Sequence, residues 1–109
     1  MKKSEVESII TKSPKKFKYS VDVTNNFKKD FVNCYVRGLD IRLLIHAVEI
    51  LATKGKLPQK YKPHPLHNNY QGFMECHIQP DWLLVWKQDN DNLTLLLTNT
   101  GTHAYIFGW

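Results

Sequence analysis

The sequence predicts an α+β fold: an N-terminal strand, two helices packed on one face of a small antiparallel sheet, and a short C-terminal element. Three observations carry this expectation. Apolar residues recur at helical spacing through two consecutive stretches between 25 and 54. Three segments of strand character follow between 71 and 99, separated by turn residues. The length of 109 residues, with 42% hydrophobic and 23% charged side chains, is that of one ordinary globular domain. A chain of that size buries roughly two-thirds of its unfolded surface.

Residues 1–16 read as an N-terminal extension, with the main domain spanning 17–109. Val6, Ile9 and Ile10 can line a short helix, but "TKSPKK" breaks it and its charge predicts a loosely held arm. "FKYSVDV" (17–23) places Phe17, Tyr19, Val21 and Val23 on one face of a strand. Thr24 or Asn25 can cap the first helix, in which Phe27, Phe31 and Cys34 or Tyr35 share a face and Gly38 marks the stop. Asp40 can cap the second, which carries Ile41, Leu44, Ile45, Val48 and Leu51 and ends at Gly55. Pro58, Pro63 and Pro65 make 56–69 a structured loop. Strands over about 71–78, 82–88 and 93–99 follow, the last two joined by the turn "DNDN". The tail "GTHAYIFGW" fits a strand or a single helical turn.

Charge and cysteine usage narrow the function classes. The net charge of +5 favours polyanionic partners, and Lys15, Lys16, Lys18, Lys28 and Lys29 crowd the first third. Cys34 and Cys76 form no disulfide framework and read as free thiols. No apolar run approaches the roughly 20 residues of a membrane span, and no signal-peptide pattern is visible, so the cytoplasm is expected.

Strand alternation sorts the stretch "GFMECHIQPDW". Met74, Cys76 and Ile78 point to the helix-covered face; Phe73, Glu75 and His77 point to the opposite, open one. That parity separates Cys76 from His77 and argues against a cysteine nucleophile. Pro80 turns the chain so that Asp81 and Trp82 stand at the rim. His64 lies in the Pro-rich loop and His103 just past the last strand, where functional groups are usually carried. His46 reads as a helix-surface residue and His67 as an exposed loop residue. Each of His64, His77 and His103 alone fits a structural role. What points to chemistry is that all three fall at loop or open-face positions beside Asp81. Three His and one Asp satisfy zinc, but the spacing matches no compact metal motif. General acid–base chemistry fits better. In RNA the 2′-OH is an internal nucleophile, so a protein that moves two protons and stabilises charge can cleave the chain. Trp82, Phe107 or Tyr70 can stack on a base.

The joined segments "YKPHPLHNNYQGFMECHIQPDWLLVWK" and "TGTHAYIF" resemble the YafQ branch of the RelE/ParE toxin superfamily, over about residues 17–108. The resemblance implies a RelE-like fold and a type II toxin that acts as a ribosome-dependent mRNA endonuclease. It implies contact with mRNA in the ribosomal A site and with ribosomal RNA, and no cofactor. It also implies a cognate DinJ/RelB-like antitoxin from the same operon, whose acidic segment would wrap the toxin, with the free toxin monomeric. By motif position the catalytic residues would be His64 in "HPL", His77 and Asp81 in "HIQPD", and His103 in "GTH". Trp82 and Phe107 match supporting aromatic positions.

Two positions depart from the family pattern. The family usually has Arg where this chain has Met74 and, just before T-G-T-H, where it has Asn99. Parity puts Met74 on the apolar face, so that exchange concerns packing. Asn99 can contact a phosphate oxygen but brings no charge, which would leave Lys60, Lys62 and Lys87 to compensate. The competing reading is a toxin-fold protein that acts by binding, either to its antitoxin or, like the ParE branch, to a protein target. Retention of His64, His77, Asp81 and His103 together favours the enzyme. A plain nucleic-acid-binding domain would show more cations on the open face than His and aromatic residues.

Overall fold

The computed structural model describes residues 1–108; Trp109, the last residue of the expected domain, lies outside the described residues. The elements run α1 (Val6–Thr11), β1 (Ser20–Val23), α2 (Asn25–Val36), α3 (Ile41–Lys54), β2 (His64–Pro65), β3 (Met74–Gln79), β4 (Trp82–Asp89), β5 (Thr94–Gly101) and α4 (His103–Phe107). Both central helices start and stop where their caps place them. The Thr24 hydroxyl accepts the Phe27 amide at 3.0 Å, the Asp40 carboxylate accepts that of Arg42 at 3.1 Å, and Gly55 closes α3 in the left-handed region. A Cβ at Gly55 would meet the Tyr19 hydroxyl at 2.7 Å, so glycine is required there for space as well as for φ.

The strand order is β1-β5-β4-β3-β2. The meander β3–β4–β5 is antiparallel as expected, but the sheet as a whole is mixed, because β1 runs parallel to β5 with Ser20 opposite Thr94. A parallel neighbour needs a long connection, and the helix pair and the meander supply it. The expected loop also contributes an edge strand, β2, which pairs His64 with Glu75 and Pro65 with Met74. Proline lacks the amide a central strand would need and is tolerated at this edge.

One core lies between the sheet and the helices. Phe27 and Phe31 from α2, Leu44, Val48 and Leu51 from α3, and Cys76, Trp82, Leu84, Trp86, Leu95 and Leu97 from the sheet are buried together. Met74 and Ile78 pack against this cluster, on the side that alternation assigned them. The second face is less open than expected. Leu83 and Val85 are buried there, and the 66–73 loop meets α4 across it through Tyr70 and Phe107, whose rings lie 4.9 Å apart edge to face.

The N-terminal extension is not a loose arm. Val6 and Ile10 are 0% and 1% exposed in the common core, because α1 lays its apolar stripe against α2 and α3. The Ser13 hydroxyl and the Lys15 ammonium both reach Glu49 on α3, at 2.7 and 3.2 Å, and hold its carboxyl below the usual range. The lysines dominate this segment's composition and mask two buried positions. Ile10→Ala is expected to destabilise the protein by about 2–5 kcal/mol, the cost of emptying a buried aliphatic site. Urea unfolding checks this; an unchanged midpoint would mean that α1 does not dock in solution.

Candidate active site

The register of β2 on β3 builds the first half of the site. Because His64 lies opposite Glu75, their side chains share a face, and His64 Nε2 comes within 2.8 Å of Glu75 Oε2. The other ring nitrogen, Nδ1, is 2.8 Å from the Lys62 carbonyl oxygen. Lys62 adopts φ +50°, uncommon for a side-chain-bearing residue, and this turn aims its carbonyl at the ring. A carbonyl only accepts, so Nδ1 carries hydrogen. A hydrogen bond from Nε2 to Glu75 then requires one further proton between ring and carboxyl. Ring and carboxyl therefore share one proton across this contact, which gives buried Glu75, 3% exposed, its hydrogen-bond partner.

His77 lies two residues beyond Glu75 and therefore on the same face. Its Nδ1 donates to the Pro80 carbonyl at 3.2 Å, which fixes the ring's orientation and turns Nε2 away from that turn. An irregularity after His77 lets Pro80 and Asp81 turn into β4. In the same row across the sheet, His77 pairs with Leu83 and Leu83 with Gly101, from which the chain enters α4. Thr102 caps that turn through the Tyr105 amide, and His103 is its first residue. The Asp81 carboxylate faces this start: its Oδ1 is 3.4 Å from the His103 backbone nitrogen and 3.5 Å from Nδ1.

The three histidines meet. Ring centroids are 6.4 Å apart for His64 and His77 and 5.9 Å for His77 and His103, and Phe107 continues the row 6.0 Å from His103. His64, Glu75, His103, Phe107 and Tyr70 line a cleft of about 460 Å³. A smaller depression of about 270 Å³ beside His77 is lined by Lys60 and Lys62. Among the described residues, no group of three or more His, Cys, Asp or Glu is arranged to hold a metal ion. Cys76 lies in the core, where burial pushes its thiol up to about 12, so it offers no thiolate nucleophile.

Three residues expected to bind substrate lie elsewhere. Trp82 is 3% exposed on the helix-covered side, and its indole N–H donates to the Thr100 hydroxyl at 2.9 Å; it supports the Asp81 turn from the core. Being first in β4, it takes the parity of Leu84 and Trp86, opposite to that of Leu83 beside His77. Lys87 sits over the Phe73 ring, 4.6 Å from its centroid, away from the histidines. The Asn99 amide is 3.4 Å from Asp30 on α2.

Two residues that shape the cleft and its support went unassigned by sequence reasoning. Glu75 had a legible signal, a carboxylate two residues from a histidine on the same strand face. Asp30 had another: it interrupts the apolar stripe between Phe27 and Phe31. Buried at 2% exposure, it accepts the Tyr105 hydroxyl at 2.7 Å and the Thr100 amide at 3.2 Å, tying α4 to α2. The same carboxylate pushes the Tyr105 phenol up. Gly101, at φ +149°, allows the close approach, since a Cβ there would come within 3.0 Å of the Tyr105 ring. Tyr105→Phe is expected to cost about 1–3 kcal/mol by leaving a buried carboxylate short of a donor. An unfolding curve identical to that of the unaltered protein would refute the tie.

Comparison with known proteins agrees with this fold. The family model described as "Bacterial toxin of type II toxin-antitoxin system, YafQ" matches residues 19–108. The mRNA interferase toxin YafQ of Escherichia coli (strain B / BL21-DE3) is 35% identical over 89 residues, 81% of this chain and 95% of that protein. The crystal structure of the E. coli DinJ–YafQ complex superposes with a TM-score of 0.76 at 32% identity, over 84% of this chain and 100% of the matched one. A metal-bound toxin from Helicobacter pylori superposes at 0.75 with 37% identity, over 82% and 99% of the two chains. The chain belongs to the YafQ family of bacterial toxins of type II toxin–antitoxin systems.

Proposed function

We propose that this toxin is an mRNA interferase that cleaves messages in the ribosomal A site, in the cytoplasm, and is silenced by a DinJ/RelB-like antitoxin from its own operon. The observation that carries the reading is the convergence of His64, His77 and His103 along one cleft, two of them backed by carboxylates. His64 and His103 stand on either side of His77 and both line the cleft. With each ring reaching about 3 Å, a phosphodiester fits between them. His64, holding the proton shared with Glu75, protonates the 5′ leaving oxygen. His103, oriented by Asp81, removes the 2′ proton. His77 contacts the scissile phosphate, with Lys60 and Lys62 adding positive charge beside it. Phe107 and Tyr70 offer a base a stacking surface at the cleft's end.

The missing guanidinium at Asn99 leaves transition-state charge to these lysines and to the His64 proton. Inducing the chain alone in a bacterial host, with primer extension on a reporter mRNA, tests the reading. In-frame cleavage that disappears when translation is blocked is the expected result. Folded protein that halts growth without cutting mRNA would favour a ParE-like protein target instead.

A further inference from the structure

The family match begins at residue 19, and the superposed E. coli toxin is covered over its whole length by 84% of this chain. Residues 1–18 lie outside that match, yet they hold most of the molecule's net charge. They carry six lysines against two glutamates, +4, whereas residues 19–109 carry nine lysines and arginines against eight acids, +1. The segment is also fixed in place. Val6 and Ile10 are buried, Ser13 and Lys15 bind Glu49, and the amides of Lys18 and Tyr19 both donate to the Ala52 carbonyl at 3.0 Å. Lys2, Lys3, Lys12, Lys16 and Lys18 are thereby held on the outside of a folded surface.

We infer that this docked segment is a second RNA-binding surface, which grips phosphates of ribosomal RNA while the histidine cleft holds mRNA. The inference rests on the ribosome-directed reading above. Position supports it: α1 packs beside β1, and β1 and β2 are opposite edges of the sheet, four strand spacings or about 19 Å apart. An extended polyanion, rather than a short substrate, can occupy both at once. Chemistry supports RNA over a protein partner. Protein interfaces are anchored by buried apolar and aromatic residues. Here Val6, Ile9 and Ile10 are spent on the core, and Met1 is the exposed apolar residue of the segment. What remains outward is lysine, a point charge suited to phosphate and to counterion release.

The test is a variant carrying Lys2→Gln, Lys3→Gln, Lys12→Gln, Lys16→Gln and Lys18→Gln, with Lys15 kept for Glu49, beside the matching Lys→Arg variant. Binding to purified bacterial ribosomes and to isolated ribosomal RNA is measured across a salt series. The Gln variant should bind at least tenfold more weakly at low salt. Its log–log salt slope should be shallower by up to about 3.5, at about 0.7 for each of the five phosphates no longer neutralised. The Arg variant should bind as the unaltered chain does, and both should unfold at its midpoint. Equal affinity and slope for the Gln variant would overturn the proposal. So would unchanged ribosome binding with weakened antitoxin binding, which would assign the lysines to a protein partner. A chain whose RNA binding depends on these lysines but which cuts no mRNA would instead overturn the cleavage reading alone.

Discussion

Replacing His103 by alanine is expected to abolish growth inhibition while leaving the fold intact. The side chain is a third exposed, at the first position of α4. The helix is held by the Thr102 cap and by the bond from Tyr105 to Asp30, both of which the substitution leaves alone. Loss of a positioned proton acceptor costs about 10²–10⁴-fold in rate. Stability should stay within about 0.5 kcal/mol of the unaltered protein, as for most surface changes. Asp81→Asn should fall between the two. It keeps the shape of the group that faces the start of α4 but removes the charge beside the ring, so activity drops less far. Primer extension measures both rates in one experiment. If His103→Ala and Asp81→Asn both cut mRNA at the original rate, the cleft is not the catalytic site.

The parts of this molecule that were legible in the sequence are those governed by local periodicity. α2 and α3 follow from apolar spacing and their caps, and alternation along β3 placed Cys76 in the core and His77 outside it. What escaped depends on partners distant in sequence. β2 is two residues long, preceded by Pro63 and ending in Pro65, so nothing local marks it as a strand; it exists because β3 offers an edge. The parallel pairing of β1 with β5 is likewise a property of the assembled sheet. For the site, His64, His77, Asp81 and His103 could be named from motif positions, but their partners could not. Glu75 acquires its meaning only when β2 docks and sets His64 opposite it. Lys87 and Trp82 show a related dependence: a cation and an indole read as ligand groups in the sequence, and packing engages one with Phe73 and the other with Thr100.

Glu75→Gln should separate the proton held in the site from the shape that holds it. In the native pair, Nδ1 of His64 donates to Lys62, so the proton between Nε2 and Glu75 is the transferable one. An amide in place of the carboxyl is nearly isosteric but carries no negative charge, and its NH₂ can donate to Nε2. The ring then becomes neutral, with its second nitrogen occupied. Cleavage should fall about a hundredfold, the lower end of what general acid catalysis contributes. Stability should change little, because the amide keeps a hydrogen bond to the half-exposed ring and leaves neither partner without one. Glu75→Ala behaves differently, since it strands His64 and opens a hole beneath it, and should lower stability as well as activity. The decisive measurement is the combination with His64→Ala. If Glu75 acts through His64, adding Glu75→Gln to His64→Ala costs no further activity, because the proton it manages has already gone. Additive losses would mean that Glu75 contributes to cleavage by a route of its own, and the acid would then have to be sought at His77.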